Sequence, residues 1–302
     1  MERFALAAAV VLGFALTAAL CSLFVPLRRV LERREQNQQP AQSEQPRPAP
    51  LRAPLWGGLC AAAGTVAAVG VGWLAACVGQ PELLGSEGRL MTRLLTALAG
   101  SLAFGAVGLA EDLARMRSPA ALGLRRDVRL LLEALAAAFV LLLLQAAGCL
   151  PRGLDVPGAG YVLLGSAVPF LWAVLMVALA ECARIAERDE GTVCGAAFVA
   201  MLALMMAEAG LGVPGLAVLP AALAGALVAL LLWAFPPARL GVGCCGSLLA
   251  AGAIGCIPLS LDMTSLTVPL ALPFWAAGGL WAAQLLGAKR TGKPLRCWVK
   301  KA

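Results

Sequence analysis

Residues 108–133 read GLAEDLARMRSPAALGLRRDVRLLLE: one apolar run closes on two adjacent carboxylates, a basic connector follows, and the next apolar run opens at Arg129. If the flanking runs cross a membrane, Glu111 and Asp112 stand at its boundary, where charge is costly unless water, a partner or an ion solvates it. The stretch therefore ranks first as a functional candidate. A plainer reading stands beside it, a solvated helix end with arginines near lipid headgroups.

Outward from this stretch the chain is consistently apolar. Its 302 residues are 61% hydrophobic and the mean hydropathy is +0.84, which excludes an ordinary soluble domain and indicates a polytopic membrane protein. Backbone groups in lipid must be paired within their own segment, so the spanning elements are helices. The apolar runs predict spans at 4–26, 55–77, 92–110, 128–148, 161–181, 192–210, 215–234, 245–260 and 266–286. The expected fold is all-α, a single integral membrane domain over 1–302 with about nine transmembrane helices and a cytoplasm-facing cleft. The first run has the length of a full span and a basic flank on its C-terminal side, unlike a signal peptide.

Arginines and lysines gather in alternate connections, at 27–53, 111–127, 182–191, 235–243 and from 287 onward, while the connections between hold only Arg89 and Arg152. By the positive-inside bias the basic connections are cytoplasmic, the N-terminus is outside and the basic tail 287–302 is cytoplasmic. The Gln- and Pro-rich segment within 27–53 reads as a mobile cytoplasmic loop. The net charge of +7 does not point to nucleic acid, since no basic face is interleaved with aromatics. The ten cysteines lie mostly inside apolar runs without a C-x-x-C pair, and read as small hydrophobes. Histidine is absent, which removes the commonest general base and zinc ligand.

Three segments carry ordered polar motifs. The first is Gly108-Leu109-Ala110-Glu111-Asp112-Leu113-Ala114-Arg115, with Leu122-Gly123-Leu124 and Arg129-Leu130-Leu131-Leu132-Glu133 after it. The second runs from Glu181 to Gly195, ECARIAERDEGTVCG, and the third is Pro236-Pro237-Ala238-Arg239-Leu240-Gly241-Val242-Gly243-Cys244-Cys245-Gly246-Ser247-Leu248. In order and spacing these resemble the polyprenyl-phosphate N-acetylhexosamine-1-phosphate transferases (glycosyltransferase family 4), and most closely the phospho-N-acetylmuramoyl-pentapeptide transferases of peptidoglycan synthesis. That family reads approximately G-F-x-D-D-x-x-K, N-L-G-L, K-L-L-x-Q, then N-A-V-N-L-T-D-G-L-D-G-L-A-A-G, then P-P-A-K-V-F-M-G-D-T-G-S-L. The resemblance extends from about Pro26 to Arg296. It includes Pro54 and the pair Gly57-Gly58, which fit close helix packing as well as ligand contact.

Several groups depart from the pattern. Glu111 stands for an aspartate, Glu181 and Arg184 for two asparagines, Glu133 for a glutamine and Arg188 for a glycine. Gly241 stands for an aromatic, Ala234 for an asparagine, and Cys244 for the metal aspartate. The family's histidine-rich loop and tenth helix have no counterpart.

The resemblance implies movement of a phospho-sugar from a UDP carrier to undecaprenyl phosphate, helped by positioning and charge neutralisation. It assigns catalysis and Mg2+ binding to Asp112 and Glu111, with the soft thiol of Cys244 a poor oxygen substitute. It assigns substrate binding to Arg115, Arg129, Glu187, Glu190, Gly191 and Arg239. It also implies membrane-lipid contact, a homodimer, and residence in the bacterial inner membrane. The departures leave a second reading open, a catalytically inactive relative serving as a membrane scaffold or lipid-carrier-binding protein. A transporter is a third, disfavoured because nearly all charge lies at helix ends rather than mid-membrane.

Overall fold

The computed structural model describes residues 2–38, 56–79, 88–117, 123–151, 153–156, 160–163, 165–187, 191–210, 215–235, 240–261 and 263–291. Helices α1 (Glu2–Gln38), α2 (Gly57–Gly79), α3 (Gly88–Arg117) and α4 (Arg126–Ala146) lead to a short hairpin, β1 (Gly153–Val156) paired antiparallel with β2 (Gly160–Leu163). Helices α5 (Val168–Ala186), α6 (Thr192–Gly210), α7 (Val218–Ala234), α8 (Gly243–Ser260), the single turn α9 (Thr267–Leu270) and α10 (Leu272–Thr291) follow. The protein is an all-α polytopic membrane protein. Each of the nine predicted spans falls on a helix.

The helices differ in how well each would cross alone. Five are long and apolar enough, within α1, α2, α3, α5 and α8, and a sixth arises if the 54° bend between α9 and α10 lies inside one span. Helices α6 and α7 supply shorter apolar stretches, Thr192–Glu208 and Val218–Ala234. At 1.5 Å per residue these fall short of the roughly 30 Å hydrocarbon core. Helix α4 opens on Arg126, Asp127, Arg129 and Glu133. Arg126 and Asp127 are exposed at its start, while Arg129 and Glu133 bury their charge against protein.

Three boundaries differ from the sequence reading. Helix α1 continues to Gln38, so the start of the expected 27–53 loop is helical, while 39–55 lies outside the described residues. Helix α3 continues past the carboxylates to Arg117, because Glu111 and Arg115 stand one turn apart and pair along the helix. The span expected from residue 161 begins at Val168, with Pro169 in its first turn, where the missing N–H costs nothing. Before it, Gly160–Leu163 form β2 and Gly165–Ala167 a single 3-10 turn.

Helix α8 is the centre of the packing. All eighteen of its residues are buried, and most are Gly, Ala, Ser or Cys. Small side chains let backbones approach where lipid provides no hydrophobic drive for helix association. Helix α3 lies antiparallel along it: a Cβ at Gly100 would stand 2.6 Å from the Cys256 sulfur, one at Gly105 3.3 Å from Leu249, and one at Gly108 would strike the Cys244 carbonyl. Helices α1, α2 and α7 form a second close-packed group. There Gly13 abuts the Ala222 carbonyl, Gly64 abuts Thr17 and Gly225 abuts the Val10 carbonyl. Among the described residues the cysteines are free thiols and mostly buried, as the sequence predicts.

This packing predicts opposite outcomes for two formally identical changes. Gly108→Ala sets a methyl against backbone that cannot rotate away, and is expected to destabilise by about 1–3 kcal/mol. Gly70→Ala, in α2 with nothing within 4 Å of the added methyl, is expected to be neutral or to gain up to about 1 kcal/mol of helix propensity. Thermal unfolding in detergent separates the two, and equal melting temperatures would contradict the close α3–α8 contact.

Candidate functional site

The α3–α8 contact ends where Asp112 meets the N-terminus of α8. That terminus has no cap of its own: Val242 makes no side-chain cap hydrogen bond, and Gly243 has φ +71°. The first N–H groups of a helix lack intrahelical acceptors and carry the positive end of its dipole. Asp112 supplies the acceptors from the neighbouring helix. The Cys244 N–H donates to Oδ1 at 3.0 Å and the Cys245 N–H to Oδ2 at 2.9 Å. The loop ahead of α8 is held from the other side, since Gly57 and Gly58 N–H donate to the Gly241 and Val242 carbonyls. A Cβ at Gly58 would strike the Gly246 amide, so this glycine pair serves close packing.

Around that cap lies a network of arginines and carboxylates from three helix ends. On α3, Arg115 Nη2 donates to Glu111 Oε1 at 2.7 Å, and its Nη1 lies 4.0 Å from both Asp112 Oδ1 and Glu187 Oε1. On α4, Arg129 Nε donates to Glu181 Oε1 at 2.9 Å, while Nη1 lies 3.6 Å from Glu111 Oε1 and Nε 3.9 Å from Glu133 Oε1. Glu181 also accepts from Arg184 at 2.6 Å, and the Cys244 thiol donates to Glu187 Oε2 at 3.1 Å. Glu111, Asp112, Arg129 and Glu133 are buried.

Glu111, Asp112, Arg115, Arg129, Glu187 and Cys244, all named from the sequence, thus meet in one place. Gly191 lies beyond Glu187 at φ +81°, where a left-handed turn requires glycine before α6. Glu190 and Arg239 lie outside the described residues. Sequence reading did not assign Glu133, Glu181 or Arg184 to the site. Two local signals were available: Arg129–Glu133 at i,i+4 and Glu181–Arg184 at i,i+3. The Arg129–Glu181 bond that joins α4 to α5 has no local signal.

The donor set does not fit Mg2+, which takes hard oxygens in near-octahedral array. Both Asp112 oxygens face backbone N–H groups, Glu111 Oε1 faces two guanidinium groups, and Glu187 Oε2 receives a thiol. Among the described residues no three His, Cys, Asp or Glu side chains gather as metal ligands.

Glu187 is the one carboxylate of the network outside the spanning segments. Burial pushes its carboxyl above the usual range, and the Cys244 thiol and Arg115 pull it back only in part. A carboxyl raised on folding contributes stability that is complete below its unfolded value and lost as pH rises through its folded value. Glu187→Gln is therefore expected to flatten the fall in melting temperature as pH rises from the ordinary carboxylate range upward. Parallel pH profiles for the two proteins would contradict the burial of this group.

Comparisons with known proteins find relatives of the chain. The family model described as glycosyl transferase family 4 matches residues 94–262. The chain is 30% identical over 213 residues to the phospho-N-acetylmuramoyl-pentapeptide-transferase of Synechococcus sp. (strain RCC307), covering 70% of this chain and 56% of the relative. It is 32% identical over 170 residues to that of Desulforudis audaxviator, covering 53% and 50%. To that of Mycobacterium tuberculosis it is 28% identical over 265 residues, covering 80% and 72%. The chain spans about half the length of the first two. Since the matched region runs from α3 through α8 and contains every side chain of the network, the chain belongs to glycosyl transferase family 4.

Proposed function

We propose that the protein transfers a phospho-N-acetylhexosamine, of the phospho-N-acetylmuramoyl-pentapeptide type, from a UDP carrier to undecaprenyl phosphate at the cytoplasmic face of a bacterial inner membrane. The observation that carries the reading is the meeting of the polar ends of α3, α4 and α5 around the capped N-terminus of α8. These ends belong to segments remote in sequence, and they are the ones whose motifs resemble the transferases. The relatives' names support the sugar, and the positive-inside pattern supports the face.

In this reaction an oxygen of the lipid phosphate attacks the sugar-bearing phosphorus of the UDP-sugar. A new phosphoanhydride bond forms, the old one breaks, and UMP leaves with the bonding electron pair. Two anions must be brought together, so charge at the entrance matters. Arg117, Arg125 and Arg126 are exposed there and attract both substrates. The inner arginines, already paired, hold the carboxylates in place. Glu187, with its raised carboxyl, takes the proton of a lipid phosphate that arrives as the monoanion.

The test is UMP release by purified protein given undecaprenyl phosphate and UDP-MurNAc-pentapeptide, then other UDP-N-acetylhexosamines. Release that depends on the lipid supports the reading. No release with any donor, together with no saturable UMP binding, would overturn it in favour of a non-catalytic lipid-carrier-binding protein.

A further inference from the structure

We propose that Arg115 is a built-in cation: its guanidinium occupies the space among Glu111, Asp112 and Glu187 that a divalent ion would otherwise take, so the site needs no metal to hold its carboxylates together. The inference deepens the proposed reading of the same site. One guanidinium faces three carboxylates from two helix ends, at 2.7 Å from Glu111 Oε1 and 4.0 Å from Asp112 Oδ1 and Glu187 Oε1. The planar, permanently charged fork can face several carboxylates at once, as a flexible ammonium cannot.

A second observation fixes it there. Gly123, whose φ is +67°, lies against the side chain. A Cβ at that position would stand 3.1 Å from Arg115 Cγ, 3.3 Å from its Nε and 3.6 Å from Glu111 Cγ. The glycine lets its backbone approach the arginine stem directly, so that side of the stem is packed. One acceptor stays open: Glu111 Oε2 is buried without a hydrogen-bond partner. Removing the guanidinium would expose three carboxylates around a vacated volume, a set of hard oxygens suited to a divalent ion.

The experiment measures Mn2+ bound by purified protein in equilibrium dialysis, with thermal unfolding in Mn2+ and in EDTA alongside, so turnover plays no part. Wild type is expected to bind no Mn2+ at this site and to melt at one temperature in both media. Arg115→Ala is expected to gain about one Mn2+ per chain and, at roughly a hundredfold excess over its dissociation constant, to be stabilised by about 5 °C or more. Adding Glu111→Gln to that variant should remove the gain, and Arg115→Lys, which keeps a charge, should not show it. The proposal is overturned if wild type binds Mn2+ stoichiometrically and loses it with Glu111→Gln, or if folded Arg115→Ala gains none. The wild-type arm decides even where Arg115→Ala fails to fold. Failure of the transferase reading, seen as absent UMP release, leaves these outcomes unaffected.

Discussion

Arg129→Ala is expected to destabilise the protein by about 3–5 kcal/mol, the range found when one partner of a buried ion pair is removed and the other stays behind uncompensated. Arg129 is 7% exposed and is the centre of three acids: it donates to Glu181 and lies within 4 Å of Glu111 and Glu133. Glu133 is fully buried, neither of its oxygens has a hydrogen-bond partner, and Arg129 is the cation nearest to it among the described pairs. Deleting the guanidinium strands Glu133, which must then be buried uncompensated or take up a proton, while Glu111 and Glu181 keep Arg115 and Arg184. It also cuts the contact that ties α4 to α5. A melting-temperature loss of roughly 10 °C corresponds to this cost. Arg129→Lys should recover only part of it, since one ammonium cannot replace the fork that faces Glu181 and Glu111 together. A loss below about 2 °C for the alanine variant would contradict the network as described.

Asp112→Ala is expected to cost about 2–4 kcal/mol, because two buried N–H groups at the start of α8 lose their acceptors together. Asp112→Asn keeps one oxygen acceptor and should cost about half as much. The same variants separate structure from chemistry. If Asp112 acts by fixing the α8 terminus, turnover should follow the residual capping, with asparagine retaining more than alanine. A drop of at least about a hundredfold for alanine is the scale expected when a preorganised polar group is lost. Asparagine losing all turnover while keeping its melting temperature would assign Asp112 a direct role at the reacting phosphates.

The fold was legible because membrane helices announce themselves in apolar runs, and every predicted span holds a helix. The exceptions have local physical causes. Charged residues ended the predicted third span at residue 110, but they pair along the helix and carry it to Arg117. The hairpin at 153–163 had no alternating pattern long enough to separate it from the apolar run after it. At the site, register against the family pattern located Glu111, Asp112, Glu187 and Cys244, although their chemistry had drifted. It did not reveal how the groups would be spent. Asp112 sits on backbone amides and Arg115 and Arg129 sit on carboxylates, and these are facts of packing between helices distant in sequence. Glu133 illustrates the limit: its position was visible, but its isolation beneath Arg129 was not.

The central claim, that the reaction occurs where α3, α4 and α5 meet the N-terminus of α8, is tested most directly by a cryo-EM reconstruction of the protein saturated with UMP. The account predicts nucleotide phosphate density at this junction, near Arg117, Arg125, Arg126 and Glu187, with Arg115 still seated on Glu111. Nucleotide bound at the opposite membrane face, or an empty junction under saturating UMP, would contradict it.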